Sequence, residues 1–280
     1  MALIWGSSFL FTELSLRFLP FYGVAFWRTF LGGLAMFALV FLLKLQLPKG
    51  AQWFHLWVAG VLMSAIPFSL FSFAQQSTTS SLAAIIGAAT PMFTLLAILT
   101  IYRTEKVTLI ATSGLLIGLI GVAITLGVWE GFGNNDPLAI AALVLATISY
   151  GIGGPYIRKF VTPMNLSGTS TAAAQVFTSA ITLLPFYLLT GPLTTAAPNV
   201  ESLLSIVALG VLGSGFAYRL FHDVIKDAGS TVASTVTFTN PVVATIWGVL
   251  LLSEELHWYE PIGGLVVILG AWLAQHKATK

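Results

Sequence analysis

Residues 50–102 read GAQWFHLWVAGVLMSAIPFSLFSFAQQSTTSSLAAIIGAATPMFTLLAILTIY, and no Asp, Glu, Lys or Arg interrupts them. A water-facing surface is not built without charge over such a length, whereas a helix crossing hydrocarbon needs about 20 apolar residues. The stretch therefore predicts two membrane spans, near 53–74 and 77–102, with Gln75 and Gln76 marking the end they share. Outside it the pattern continues. Apolar runs predict further spans near 2–18, 21–43 and 108–126, then, after the polar break Gly131-Phe132-Gly133-Asn134-Asn135-Asp136-Pro137, near 138–156, 167–190, 203–224, 229–252 and 261–276. Barrel strands would be about half as long and would alternate in polarity. The fold class expected is an all-α integral membrane protein of ten transmembrane helices.

Composition agrees: 57% of residues are hydrophobic and 8% charged, and there is no cysteine for a disulfide or thiolate metal site. The net charge of +2 acquires meaning only when the charges are placed along the chain. With a cytoplasmic N-terminus, the inner connections hold Lys44, Lys49, Arg103, Lys106, Arg158, Lys159, Arg219, Lys226, Lys277 and Lys280, ten of the 12 basic residues. The outer connections hold Arg17 and six acids, Glu130, Asp136, Glu201, Glu254, Glu255 and Glu260. The positive-inside rule then sets both termini in the cytoplasm. No signal peptide precedes Ala2-Leu3-Ile4-Trp5, and the first helix begins so near Met1 that a few native residues are expected before it.

An internal repeat organises the spans. Shifted by 150, segment 80–124 aligns without gaps on 230–274. Ser80, Ala83, Pro91, Glu105, Gly114, Leu115 and Leu119 meet Ser230, Ala233, Pro241, Glu255, Gly264, Leu265 and Leu269. Trp5-Gly6 pairs with Tyr150-Gly151 at an offset of 145. Five spans is an odd number, so the halves, 1–130 and 131–280, are expected to cross the membrane in opposite senses. Inverted repeats recur in secondary transporters, whose halves exchange conformations to open alternately to either side.

The chain resembles the drug/metabolite transporter superfamily, specifically its EamA-like ten-helix exporters. The resemblance rests on Ile4-Trp5-Gly6-Ser7-Ser8-Phe9, on Phe26-Trp27-Arg28-Thr29-Phe30, and on Ala83…Pro91…Glu105 with Ala233…Pro241…Glu255. Each half also closes on a glycine-bearing span: Gly114, Gly118 and Gly121, then Gly263, Gly264 and Gly270. Departures are Arg103-Thr104 before Glu105, where the family has an apolar residue and Gly, and Arg219 in the eighth span. The resemblance implies a secondary-active or facilitative exporter of small metabolites, such as amino acids, related solutes or drugs, in a bacterial inner membrane.

Several residues are candidates for transport. Pro91 and Pro241 free the carbonyls of Gly87 and Thr237 at mid-span, and irregular backbone at that depth is buried in protein or lines a wet cavity. Thr90 and Asn240 precede them with polar groups, the alternative being a packed kink satisfied by Ser or Thr. Arg28 lies roughly 10 Å deep by helical rise, where an arginine costs on the order of 3 kcal/mol on insertion scales. Glu13 sits at similar depth, so Glu13–Arg28 is expected as a fixed ion pair or as a proton-coupling site, with Arg17 competing for Glu13. Arg219, His222, Asp223 and Lys226 share one helical face; Arg219 with Asp223 is a candidate gate, or else a snorkelling cluster. Trp5, Ser8, Tyr150, Gln175 and Tyr218 complete the expected substrate cavity.

The four histidines, His55, His222, His257 and His276, sit apart, and no nucleophile–base or metal-ligand spacing is present, so neither enzyme chemistry nor a cofactor is expected. A polytopic membrane enzyme and a non-transporting scaffold remain the alternatives. The expected partners are a small-molecule substrate, the lipid bilayer and protons as a candidate coupling ion, with no nucleic acid; monomer and homodimer are both open.

Overall fold

The computed structural model describes residues 1–103, 108–125, 127–130, 136–252 and 258–274. Glu105, Lys106, Glu254, Glu255, His257, His276, Lys277, Lys280 and most of the polar break (131–135) lie outside the described residues. The described residues are helical, with no strand among them. Among the described residues, seven helices are long and apolar enough to cross a membrane: α2 (Phe21–Leu42), α3 (Gln52–Ala74), α4 (Ser80–Tyr102), α6 (Pro137–Met164), α7 (Gly168–Leu189), α8 (Val200–Ala228) and α9 (Ser230–Leu251). Three more are apolar but shorter: α1 (Ala2–Leu16), α5 (Leu109–Thr125) and α10 (Tyr259–Ala274).

Side-chain caps set several starts that apolar patterning places a few residues off. Thr79 accepts the Leu82 N–H, so α4 begins at Ser80 rather than near residue 77. Asn199 and Ser202 form a reciprocal capping box that starts α8 at Val200, and α8 runs on to Gly229, where φ is +95°. The sixth helix, expected to stop near 156, continues through a wide turn at Ile157–Val161 to Met164.

Helices cross where glycine lets backbones approach, the packing favoured where lipid offers no hydrophobic drive. Helix α1 packs on α9 with Gly6 against Val243, and α4 packs on α6 with Gly151 against Phe93. Helices α2 and α8 meet with Gly210 against Leu31 and the Arg28 carbonyl; α3 and α7 meet with Gly60 against the Gln175 carbonyl. Helix α2 also lies along α7, and α5 along α10, where Gly270 closes on Gly118.

Two helices loosen at mid-length into π-helical turns, Val61–Ala65 in α3 and Leu209–Phe216 in α8. Two others are interrupted at prolines. Helix α4 breaks after Gly87 and restarts at Thr90 with Pro91 in its first turn. Helix α9 tightens into a 3₁₀ stretch, Thr235–Thr239, before Pro241. All four irregularities surround the same central region.

The glycine contacts have a direct test. A Leu at Gly151 would drive its Cβ into the Phe93 backbone, whereas a Cβ at Gly154 would meet Ser230 at an ordinary 3.6 Å. Overpacking of this kind typically costs about 1–3 kcal/mol. Gly151→Leu is expected to lower the melting temperature of the purified protein clearly and Gly154→Ala to leave it within error; equal melting curves would refute the tight crossing.

Candidate functional site

A cavity with about 770 Å³ of empty space, its open part included, lies among the irregular turns. One wall is aromatic: Trp5, Phe9, Phe68, Phe71, Tyr150 and Phe221. Trp5 packs against Phe221 at 5.3 Å between centroids, and Phe71 against Tyr150 at 5.9 Å. The polar lining comes from Ser8 and Thr12 of α1, Arg28 of α2, Thr90 and Thr94 of α4, and Ser230, Ser234, Thr237 and Asn240 of α9. Gln75, at the end of α3, also contributes.

The freed backbone groups are met from outside their own turns. Pro67 has no N–H to offer the Met63 carbonyl, and that carbonyl accepts the Tyr218 hydroxyl. In the facing wide turn the Gly213 carbonyl accepts Trp5 Nε1–H at 2.9 Å. The Gly87 carbonyl, orphaned by Pro91, accepts Thr90 Oγ1–H at 2.6 Å. Two buried side-chain atoms in the lining stay without a partner, Thr94 Oγ1 and Asn240 Oδ1. Orphaned buried polar atoms are rare and ask for an explanation.

Arg28 is only 5% exposed. Its Nε donates to Ser214 Oγ at 3.1 Å, and its guanidinium carbon stands 3.5 Å from the centre of the Phe68 ring. The stacking is a cation–π contact, worth about 2 kcal/mol when desolvated. The Glu13–Arg28 pair expected from depth does not form. Glu13 Oε2 accepts the Ser80 hydroxyl at 2.8 Å, because α4 begins beside it, while Arg28 turns toward α8. Nor does Arg17 turn to Glu13; it reaches Glu201 at 3.5 Å.

Of the residues expected in the cavity, Trp5, Ser8, Arg28, Thr90, Tyr150 and Asn240 line it together. Pro91 and Pro241 are buried and shape the helices without lining it. Gln175 and Tyr218 stand behind the wall. Gln175 accepts His222 Nε2–H at 2.8 Å and donates to Ser64 Oγ at 3.4 Å, a polar trio linking α7, α8 and α3. Tyr218 is 1% exposed, its ring 5.6 Å from Trp5. Arg219 and Asp223 form no ion pair; Arg219 lies over Phe216, its guanidinium carbon 5.3 Å from the ring centre.

The pattern of the EamA-like transporter family matches residues 1–127 and 137–274 of this chain. The chain belongs to the EamA-like transporter family. This integral membrane transporter is 26% identical, over 98% of its length and 94% of the relative's, to an uncharacterised transporter of Archaeoglobus fulgidus. It is 24% identical, over 97% of its length and 87% of the relative's, to the uncharacterised inner membrane transporter YedA of Escherichia coli. A solved crystal structure superposes with a TM-score of 0.76 at 18% identity, covering 98% of this chain and 93% of that one. Family membership sets the EamA-like chain among transporters rather than enzymes.

Sequence reading missed Phe68, Thr94, Ser214 and Gly213 as parts of the site. Pro67, with a carbonyl to free at Met63, was the available signal for the first of the wide turns; nothing in the sequence marks the second. The reassignment of Gln175 is testable. Gln175→Leu leaves His222 and Ser64 without their partner, a loss of about 1–3 kcal/mol, so the melting temperature should fall. Because Gln175 does not line the cavity, solute KM in the surviving protein should stay within twofold; a large KM change with unaltered stability would return Gln175 to the site.

Proposed function

We propose that this membrane transporter is a secondary-active or facilitative exporter of small metabolites, working by alternating access between two inverted five-helix repeats, residues 1–130 and 131–280. The carrying observation is the cavity, whose lining is drawn from both segments: Trp5, Arg28, Phe68 and Thr90 from the first, Tyr150, Phe221, Ser234 and Asn240 from the second. Sites at the interface of two repeats, beside interrupted helices, suit a solute carried from one side to the other.

The pattern of contacts supports the repeat. Gly6 against Val243 and Gly151 against Phe93 are equivalent pairs at the offsets of 145 and 150 found in the sequence. Gly60 and Gly210, also 150 apart, each meet a carbonyl of the other segment's second helix, that of Gln175 and that of Arg28. Ser64 and Ser214 carry the correspondence further, accepting from Gln175 and Arg28. The wide turns Val61–Ala65 and Leu209–Phe216 overlap under the same shift. Two segments holding each other through the same contacts can exchange conformations, which is the structural requirement of alternating access. The ten spans, a cytoplasmic position for both termini and a bacterial inner-membrane location belong to the same reading. Glu13, held by Ser80 rather than by a cation, is the candidate proton carrier if export is coupled.

Two measurements test it. The chain has no cysteine, so a single Lys49→Cys or Gln76→Cys change places a unique label on an exposed residue at opposite ends of α3. A membrane-impermeant maleimide added to intact cells should label the cysteine at 76 and not that at 49; the reverse would overturn the orientation. In proteoliposomes, counterflow of a labelled panel of amino acids, nucleosides and a cationic drug should be saturable for one class, should fall at least tenfold in Asn240→Ala, and should respond to a pH gradient if coupled. Absence of flux for every member from folded protein would count against export.

A further inference from the structure

We propose that Arg28 anchors a carboxylate on the transported solute, and that the cavity discriminates against cations; the proposal rests on the transport reading above. A guanidinium has five N–H donors in a planar fork. Here Nε is taken by Ser214 Oγ, and one face of the plane is covered by Phe68. Those two contacts hold the plane and leave the paired terminal amino groups, the edge that grips a carboxylate in two parallel hydrogen bonds. No carboxylate forms an ion pair with Arg28 among the described residues, and none lines the cavity. Among the described residues the lining therefore carries a cation and no anion.

Arg28 lines the cavity together with Ser8, and Gly213 lies beside both: a Cβ there would crowd Ser8 Oγ at 2.9 Å and only touch Arg28 Nη2 at 3.8 Å. A purely structural role for the charge is hard to sustain, because the equivalent position of the other segment does without one. Gln175 donates to Ser64 as Arg28 donates to Ser214, yet it is neutral, has His222 as a second partner, and lies off the cavity. The scaffold needs a hydrogen-bond donor at this crossing. It does not need a cation, whose burial costs on the order of 3 kcal/mol.

The rest of the solute follows from the rest of the lining. Asn240 Oδ1 accepts only, and it is buried without a donor; Thr94 Oγ1 is unpartnered too. An ammonium or hydroxyl group on the solute would supply those atoms. The aromatic wall takes an apolar body. The class is thus a carboxylic acid with a nearby hydrogen-bond donor and an apolar, aromatic-sized side group.

The test uses four probes that share a benzyl body and differ in head: phenylacetate, phenylalanine, phenylacetamide and phenethylamine. Binding to purified full-length protein is read by quenching of tryptophan fluorescence, and counterflow is read in proteoliposomes. The two carboxylates are expected to bind at least tenfold more tightly than the amide and the amine. Arg28→Gln should erase that preference and Arg28→Lys should keep part of it, since it retains the charge without the fork. Should Arg28→Gln fail to fold, the head-group series on the unaltered protein decides alone. Equal or tighter binding of the amide or amine overturns the anchor and leaves transport standing, as does displacement of phenylacetate by equimolar chloride, which would mark a site for any small anion. Carboxylate binding that depends on Arg28 but gives no flux supports the anchor and removes the transport reading instead.

Discussion

Every backbone N–H and C=O inside hydrocarbon has to find its partner within the protein, and the arrangement of this molecule follows from that requirement. Regular helix meets it wherever nothing else is needed. Where the helices loosen, the exposed carbonyls are taken by side chains from elsewhere: Met63 by Tyr218, Leu62 by Ser149, Gly213 by Trp5. In each of these the donor and the acceptor come from different halves of the chain. The irregular turns that make room for a cavity therefore also fasten the halves together, at about 1 kcal/mol net per bond but several lost if a carbonyl were left bare. Other carbonyls are served locally, Gly87 by Thr90, Leu209 by Ser214 and Ser234 by Thr237.

The same economy governs the polar side chains. Gln175, His222 and Ser64 close on one another between three helices and leave little free capacity. Arg17–Glu201 is half-exposed on both sides and contributes about 0–1 kcal/mol as a surface pair. Arg158 reaches the carbonyls of Ile225 and Lys226 and completes the end of α8. Ser72 Oγ and Thr245 Oγ1 are buried without a partner away from the cavity lining, whereas Arg28, Thr94 and Asn240 retain donor or acceptor capacity around the cavity itself. A transporter needs polar groups whose partner is the cargo.

Glycine distribution sets how closely the helices approach. Gly6, Gly60, Gly151 and Gly210 each remove a side chain where two helices from different halves of the chain cross, and Val243, Phe93 and Leu31 seat against three of them. The α5–α10 pair, sealed where Gly270 meets Gly118, lies apart from the cavity, whose lining comes from α1 to α4, α6, α8 and α9.

The sequence by itself determined the membrane as solvent, the helical class, the approximate helix positions and the irregular depth. Each depends on local properties: apolar run length, charge placement, and the missing N–H of proline. It also marked Arg28, Thr90, Tyr150 and Asn240, since a polar group at mid-span is conspicuous whatever surrounds it. Only the tertiary structure decided who faces whom. Depth along two helices cannot tell whether Glu13 meets Arg28, because the answer depends on the rotation of α2 about its axis, which the crossing with α8 sets. Burial alone could not separate Gln175 and Tyr218, spent on His222 and the Met63 carbonyl, from Asn240, left open. Partners are a property of the packed helices, and the packing is decided by contacts between residues far apart in the chain.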